Sequence, residues 1–410
     1  METPKTKFDV VDLFCGAGGM SLGFALTGFH VVGALDSWKP AVETYRANLG
    51  EHATLAQIGD DAAFPPADVI VGGPPCQGFS SAGSRRKGDH RNNLVSVFAR
   101  LIARHRPRAF VFENVEGFVT NDDGRFVLDL LDPVIEAGYW VHVRKVNAAN
   151  YGAPQHRKRV LAIGGLGWVP SFPSPTHSAW GAPGALEYPA LPRTPTLREA
   201  LRGLPPASSA RRGKQDDGLD HVYPSLSEID LDRARLLGPG QRMRDLPEEL
   251  WHSSYRRRAF RRVKDGIPTE RRGGAPAGVR RLNFDEPCKA ITGGAQNEFL
   301  HPEEHRALTI RECARVQTFA DSFRFIGKRT ERLQLIGNAV PPVLAFAVAR
   351  QLLAGLVLAT TESASLGSGR LLSFRPTTST GMSPALDRVC RAVWRRHGDA
   401  QQGLFADAAI

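Results

Sequence analysis

Short apolar segments alternate with helical patterns along the first 165 residues. The segments with strand patterns are 8–14, 31–35, 68–71, 109–112, 139–147 and 159–164. Between them, 39–48, 93–105 and 125–137 carry apolar residues at helical spacing. Strands that alternate with helices in this way predict an α/β fold, a doubly wound and mostly parallel sheet with helices on both faces.

The pattern changes after Gly167, where closely spaced prolines from Pro170 to Pro206 exclude long regular elements. A regular apolar pattern returns at 333–353 and predicts one helix. The Ser- and Thr-rich stretch 356–382 is typical of a linker, and 383–396 predicts a short amphipathic helix. We therefore expect four parts: a cofactor-binding and catalytic domain (1–170), a smaller domain (171–327), a return helix that completes the first domain (328–355), and a linker and tail (356–410).

Charge and cysteine content narrow the class of protein. The 410 residues carry a formal net charge of +11, which makes a polyanionic partner plausible. Five scattered cysteines argue against a disulfide scaffold and a clustered zinc site, and they fit a reducing compartment. No uninterrupted apolar run has the length of a membrane span, and the N-terminus lacks the apolar region of a secretory signal.

A glycine-rich turn lies between the first strand and the first helix. Gly16, Gly18 and Gly19 allow a tight turn and a close approach of a ligand to the backbone. Asp36 ends the next strand, where a carboxylate can accept both hydroxyls of a ribose. Together they predict an adenosine-containing cofactor, although the Gly-x-Gly-Gly spacing makes a dinucleotide less favoured. A structural turn that binds nothing is the alternative.

Four further residues carry reactive or charged groups at the predicted sheet edge. Cys76 follows two prolines at the end of a strand, and a thiol becomes nucleophilic as its thiolate. Glu113 ends the next strand and is a candidate general acid or base. Arg157 and Arg159 share one face of a strand and indicate an anion or a polar base edge to be held. The alternatives are a small buried cysteine, a solvated carboxylate and an edge strand made soluble by charge.

Six motifs in fixed order give the chain a family resemblance. They are 12–19 (DLFCGAGG), 74–77 (PPCQ), 113–115 (ENV), 155–159 (QHRKR), 311–319 (RECARVQTF) and 334–342 (QLIGNAVPP). The chain resembles the DNA (cytosine-5)-methyltransferases of bacterial type II restriction-modification systems. The resemblance covers about residues 8–165 and 282–350, and it assigns the interval between Arg159 and Arg311 to target recognition.

The resemblance implies S-adenosyl-L-methionine as the cofactor. Phe14 would pack on the adenine, the amides of 16–19 would approach the amino-acid part, Asp36 would hold the ribose, and Trp38 would offer a second aromatic face. Most relatives have Glu where this chain has Asp36. Asp60 matches the residue that reads the adenine amino group, with the neighbouring Asp61 leaving the register open by one. Further matching cofactor contacts are Pro75, Leu94, Asn338 and Val340.

The resemblance also implies the chemistry and the DNA contacts. Cys76 would add to C6 of a cytosine flipped out of the duplex, Glu113 would hydrogen-bond or protonate N3, Arg157 would hold the O2 side and orient the thiol, and Arg159 would support it. No metal is needed. Candidate DNA contacts are Gln77, Ser80 and Arg85 in the loop 80–91, Arg280 within the basic stretches 256–262 and 271–281, and Thr292.

The expected partner is double-stranded DNA. The resemblance further implies a functional partnership with a restriction endonuclease, no stable protein partner, no membrane, a monomer, and a cytoplasmic location. Two alternatives stay open: a tRNA cytosine-5 methyltransferase, against which the long recognition interval argues, and a catalytically silent DNA-binding relative, against which the intact Cys76, Glu113 and Arg157 argue.

Overall fold

An eight-stranded sheet forms the centre of the computed structural model, which describes residues 7–75, 94–182, 185–209, 218–259, 263–264, 267–268, 278–359, 368–378 and 382–398. The strands are β1 (Asp9–Leu13), β2 (His30–Asp36), β3 (Ala53–Leu55), β4 (Val69–Gly72), β5 (Ala109–Val115), β6 (Tyr139–Asn147), β7 (Lys158–Leu166) and β8 (Arg370–Arg375). Their spatial order is β8-β6-β7-β5-β4-β1-β2-β3, and β7 alone among these eight runs antiparallel to its neighbours. All six predicted strands are present.

Thirteen α-helices accompany the sheet in the described part of the chain. They are α1 (Gly19–Leu26), α2 (Lys39–Leu49), α3 (Leu94–His105), α4 (Gly117–Thr120), α5 (Arg125–Glu136), α6 (Leu197–Leu201), α7 (Glu228–Leu236), α8 (Ser253–Ala259), α9 (Ala295–Glu298), α10 (Ile310–Val316), α11 (Arg329–Asn338), α12 (Pro342–Ala359) and α13 (Pro384–His397). Short 3₁₀ helices lie at Asn121–Gly124, Ala148–Tyr151, Met243–Asp245 and Glu248–Leu250.

Two apolar cores cover the two faces of the sheet. On one face, α3, α5 and α13 bury residues such as Phe98, Leu130 and Val393. On the other face, α1 and α12 bury residues such as Phe24 and Leu352. The strands are apolar on both sides because helices cover both faces, which confirms the predicted doubly wound α/β fold.

The middle of the chain contains little regular structure. Its strands are pairs of two residues each: Ser208–Ser209 with Val222–Tyr223, Val263–Lys264 with Ile267–Pro268, Arg280–Arg281 with Phe299–Leu300, and Cys288–Lys289 with Gln155–His156. A third core contains residues from both sides of the expected boundary at 327, such as Phe325 and Leu333. The boundaries of the four expected parts remain predictions.

Two expectations for the C-terminal part are wrong. The single helix expected over 333–353 is two helices, α11 and α12, because Pro341 and Pro342 interrupt the hydrogen-bonding pattern. The linker expected over 356–382 contains the end of α12 and the strand β8, which pairs with β6 and forms one edge of the sheet. Leu371 and Phe374 of β8 are buried, and the burial of these apolar side chains stabilises the pairing of the segment with the sheet. The helix expected at 383–396 is confirmed as α13.

The stretch Arg329–Ala359 is long and apolar enough to cross a membrane by length and composition. The core helix of a soluble protein meets the same criteria. Leu344, Val348, Leu352 and Leu356 of α12 are buried in the core between α1 and the sheet, so we assign this stretch to the protein core.

Candidate active site

A large cavity of about 1360 Å³ opens at the carboxyl ends of the parallel strands. Phe14 follows β1, Asp36 ends β2, Gly73 follows β4, and Glu113 lies near the end of β5; all four line the cavity. Ligands of open α/β sheets bind at this edge, because consecutive strands on either side of a crossover leave a crevice there.

The turn after β1 has the backbone conformation that the glycines were expected to provide. Phe14 and Gly16 have φ values of 62° and 54°, in the left-handed region that is uncommon for an aromatic residue. A Cβ on Gly19 would lie 2.2 Å from the carbonyl oxygen of Val340. Glycine at 19 is therefore what lets α1 approach the segment that follows α11, and both line the cavity.

Carboxylates surround this end of the cavity. Asp36 accepts hydrogen bonds from the amides of Gly16 and Trp38, both at 2.8 Å, and burial raises the pKa of its carboxyl group despite these bonds. Asp12 is buried and accepts a hydrogen bond of 2.7 Å from the hydroxyl of Ser21. Burial raises the pKa of Asp12 to about 7. A bound cation would favour the ionised form of both groups.

A buried ion pair lies further along the same cavity. Glu113 Oε1 is 2.7 Å from Arg159 Nε, and both side chains are nearly inaccessible to solvent. Asn114 donates a hydrogen bond of 3.3 Å to the carbonyl of Pro74, which ties the turn after β4 to the end of β5. The turn that precedes Cys76 is thus anchored beside Glu113.

Arg157 connects the strands to later parts of the chain. Its guanidinium donates to the carbonyls of Ile291, Gly337 and Ala339 at 2.7–2.9 Å. The side chain is buried and also lines the cavity. Its described hydrogen bonds therefore hold Ile291, in the middle of the chain, and the end of α11 against the sheet.

The cavity brings together most of the residues expected at the site. Those that line it are Phe14, Gly16, Gly19, Asp36, Trp38, Pro75, Glu113, Arg157, Arg159, Thr292, Asn338 and Val340. Those described but not lining it are Gly18, Asp60, Leu94 and Arg280. Cys76, Gln77, Ser80 and Arg85, with the loop 80–91, lie outside the described residues. The roles assigned to all of these residues remain predictions.

Asp60 and Arg280 lie outside the cavity lining, in different surroundings. Asp60 accepts two hydrogen bonds from Arg100, at 2.8 and 3.0 Å. Arg280 lies on a two-residue strand beside its neighbour Arg281. Arg281 also belongs to the basic stretch 271–281 that is predicted to contact DNA, but its side chain is buried and bonded to backbone carbonyls. Of this pair, Arg280 therefore remains the candidate for a contact with DNA.

The sequence analysis missed several residues that line the cavity. They are Asp12, Glu116, Thr120, Lys145, Lys158, Glu298, Ser383 and Leu386. Asp12 had a signal that could have been used, because a carboxylate inside an apolar strand is costly unless it has a function or a partner. Ser383 and Leu386 could not be found, because Ser383 caps α13 and Leu386 lies in its first turn, far along the chain from the other lining residues.

Comparisons with known proteins identify the family of the chain. The family model for C-5 cytosine-specific DNA methylases matches residues 8–354. The chain is 33% identical over 356 residues to the type II methyltransferase M1.HphI of Haemophilus parahaemolyticus, covering 84% of this chain and 86% of that protein. It is 31% identical to the type II methyltransferase M.XorII of Xanthomonas oryzae pv. oryzae, covering 84% of both proteins.

Solved structures agree at the level of the fold. A crystal structure described as a DNA modification methyltransferase encoded within a prophage of E. coli superposes with a TM-score of 0.63 at 25% identity, covering 85% of this chain and 99% of that one. The Dnmt2 methyltransferase of S. pombe superposes with a TM-score of 0.54 at 16% identity, covering 87% of this chain and 100% of that one.

Proposed function

The chain belongs to the C-5 cytosine-specific DNA methylase family and is a DNA cytosine-5-methyltransferase of the type II restriction-modification kind, and we propose that it methylates a flipped cytosine through a covalent bond to Cys76. The observation that carries this proposal is one continuous cavity. In it, the Glu113–Arg159 ion pair opens into the same space as the aromatic and acidic residues Phe14, Trp38 and Asp36.

The cofactor end of the cavity has the chemistry that S-adenosylmethionine requires. Phe14 and Trp38 provide aromatic surface for an adenine, and Asp36 has a carboxylate for the ribose hydroxyls. Burial raises the pKa of Asp12 and Asp36, and a ligand with a sulfonium and an ammonium group would favour the ionised form of both carboxyl groups. When bound, the cofactor supplies the electrophilic methyl group.

The protein groups at the other end activate the cytosine. In our proposal the Cys76 thiolate adds to C6, which makes C5 enamine-like and able to take up the methyl group. Arg159 forms an ion pair with Glu113, yet the buried Oε1 of Glu113 has no hydrogen-bond partner among the described residues, so we assign this carboxyl group to N3 of the base. Loss of the C5 proton then expels the Cys76 sulfur and restores the aromatic ring.

The remaining described cysteines support Cys76 as the nucleophile. Cys15, Cys288 and Cys313 are buried, and burial raises the pKa of each thiol. Burial also raises the pKa of Cys390, which lies on α13. A thiol held in its neutral form is a poor nucleophile. Cys76, which follows the cavity-lining Pro74 and Pro75 in the sequence, is the cysteine left for the reaction.

We further propose that the target base leaves the duplex before it reacts. A base within the stack cannot be reached by a thiol and a methyl donor at once, and flipping costs a few kcal/mol that contacts elsewhere must offset. By analogy with the relatives named as type II methyltransferases, we infer that methylation protects DNA from a cognate endonuclease. We also propose that the chain acts as a cytoplasmic monomer without a stable protein partner.

Bisulfite sequencing tests the proposed activity and locates its target. DNA from a methylation-free host that expresses the chain should show 5-methylcytosine within one short recurring sequence. Purified protein with labelled S-adenosylmethionine should then label duplex DNA that contains this sequence, and not tRNA. Label in tRNA alone would overturn the assignment of DNA as the substrate.

A mechanism-based duplex tests the covalent step. With 5-fluorocytosine at the mapped position there is no C5 proton to remove, so the sulfur cannot leave after methylation. The wild-type protein with cofactor should form an adduct that survives denaturing gels, and Cys76→Ser should not. Active wild-type protein that never forms this adduct would show that the covalent mechanism is wrong.

A further inference from the structure

The cavity continues beyond the places that the cofactor and the cytosine require. We define the C-terminal compartment as the part lined by Glu116, Thr120, Lys145, Lys158, Ser383 and Leu386. It lies past the Glu113–Arg159 pair, where β6 and β7 meet the turn after β5 and the start of α13. None of the residues assigned to the cofactor or to the base chemistry is among these six.

One wall of this compartment comes from a part of the chain that the family model does not cover. The match ends at residue 354, whereas β8 and α13 lie between Arg370 and His397. β8 pairs with β6, and Val389 of α13 packs where a Cβ on Gly124 would stand, 2.6 Å from its methyl group. The compartment is therefore a built feature of this chain.

Charge divides the cavity into two ends. The cofactor end contains the carboxylates of Asp12 and Asp36. In the C-terminal compartment, Lys145 forms an ion pair with Glu116. Lys158 has no carboxylate within ion-pair distance among the residues that the structure describes. One net positive charge therefore remains on this side, at the start of β7.

The polar atoms of the compartment favour a phosphodiester as its occupant. The Ser383 hydroxyl accepts a hydrogen bond from the amide of Leu386, at 3.3 Å, and keeps its own proton to donate. Thr120 provides a second hydroxyl donor, and the Leu386 side chain provides an apolar contact of the kind a sugar ring makes. Lysine, a compact charge with three donors, binds phosphate as a point charge.

We propose that the C-terminal compartment binds the DNA backbone beside the flipped cytosine, with Lys158 on the phosphate and Ser383 and Leu386 against the adjoining sugar-phosphate. This inference rests on the proposed function and deepens it, because a flipped nucleotide must bring its own phosphates to the cavity. The acidic end then receives the cationic cofactor and the basic end receives the anionic backbone.

The salt dependence of DNA binding tests the role of Lys158. Each phosphate that a protein cation neutralises adds about 0.9 to the slope of log affinity against log salt. Lys158→Ala should reduce this slope by about one and weaken binding of the mapped duplex several-fold at low salt. Lys158→Arg should restore most of both. Lys7→Ala removes an exposed lysine at the opposite edge of the sheet and should change neither.

A neutral phosphate separates a direct contact from a general loss of charge. In the mapped duplex, the phosphates on either side of the target cytosine are replaced by methylphosphonate. Wild-type affinity should fall several-fold at one of these positions, and Lys158→Ala should lose nothing more there. An equal loss in both proteins at both positions would mean that Lys158 contacts neither phosphate.

A second variant tests the compartment without changing Lys158. Leu386→Glu adds a carboxylate to the wall formed by α13, so it should weaken DNA binding several-fold while S-adenosylmethionine affinity is kept. Unchanged DNA affinity would overturn the proposal. If wild-type protein labels no DNA, the proposed function fails instead; if it does label DNA and these variants bind DNA as wild type, the C-terminal compartment alone is refuted.

Discussion

The cavity-lining edge of the sheet and the predicted recognition region (171–327) use buried polar side chains in different ways. At the edge, Asp12 and Glu113 are buried with few partners, on strands whose regular ladders already hold the backbone in place. In the recognition region, regular strands are two residues long, and buried arginines bond to backbone carbonyls instead. Arg281 donates to the carbonyls of Ala234, Leu237, His301 and Glu304.

This difference determines which polar side chains in each region are available to bind a ligand. A sheet that is stable without its polar residues can keep carboxylates in a desolvated state, ready for a ligand. In the recognition region, Arg311 also bonds to three carbonyls, those of Leu219, Ala320 and Phe323. A large positive charge therefore does not equal a large DNA-binding surface, because several arginines stabilise the fold.

Substitution of Cys76 should have the largest effect on turnover and little effect on cofactor affinity. Cys76→Ala removes the proposed nucleophile, so turnover should fall below detection, a loss of more than about 10⁴-fold. S-adenosylmethionine affinity should stay within a few-fold of wild type, because the cofactor end of the cavity is unchanged. Methyl incorporation into the mapped duplex and calorimetric titration with the cofactor measure the two effects.

The control for this variant is Cys390→Ala on α13, which should keep full turnover. Measurable turnover by Cys76→Ala would mean that another group attacks C6. The proposed role of the cavity-lining edge in covalent catalysis would then be wrong.

Glu113→Gln should have the next largest effect. The amide keeps the shape of the side chain but cannot transfer a proton to N3, and general-acid help is worth about 10²–10⁴-fold in rate. We expect the rate constant for methyl transfer, measured in single-turnover assays, to decrease by a factor in this range, with DNA affinity little changed. Glu43→Gln, on the exposed face of α2, is the matched control and should react at the wild-type rate. A fall of less than tenfold for Glu113→Gln would leave N3 to another group.

The fold could be predicted from the sequence where a local pattern determines the structure. The apolar segments that form β1, β2, β4 and β5 are short, valine-rich and bounded by turn residues, so their pattern predicts strands and no other element. β8 was missed because Arg370–Arg375 is short, follows a polar stretch, and becomes a strand through its pairing with β6.

The candidate site divides in the same way. Residues next to a strand end, such as Asp36 and Glu113, were predictable because the carboxyl ends of parallel strands meet. Leu386 was not predictable, because its place in the cavity depends on how α13 packs against Gly124. The structural role of Arg281 was also hidden, since its sequence neighbours are as basic as those of an arginine that contacts DNA.

Arg281→Met should measure how much a buried arginine of the recognition region contributes to the free energy of unfolding. The variant leaves buried carbonyls without a donor, and each such group costs about 1–3 kcal/mol. We expect the free energy of unfolding to fall by about 3 kcal/mol, measured by urea denaturation. The adjacent Arg280→Met should cost much less stability and should weaken DNA binding instead, with a smaller salt slope. Equal stability losses in the two variants would remove the distinction between structural and DNA-contacting arginines.

Asp12→Asn, unlike Arg281→Met, should increase the free energy of unfolding relative to wild type as the pH rises. The pKa of Asp12 is raised to about 7 in the folded protein from an ordinary value of 3.8, so the folded state binds a proton that the unfolded state has already lost. Between about pH 4 and pH 7 this makes wild-type stability fall as the pH rises, by up to a few kcal/mol. Asparagine has no such proton, and its amide oxygen can still accept the hydrogen bond from Ser21.

The measurement is urea denaturation of both proteins at several pH values from 4 to 8. The difference in unfolding free energy between Asp12→Asn and wild type should grow with pH across this window and level off above about pH 7. The variant should also lose the gain in S-adenosylmethionine affinity that wild type is expected to show from pH 6 to pH 8, as Asp12 ionises beside the cationic ligand. Parallel stability curves would mean that Asp12 already carries its charge in the fold, and the contrast with Arg281 would then rest on the arginine alone.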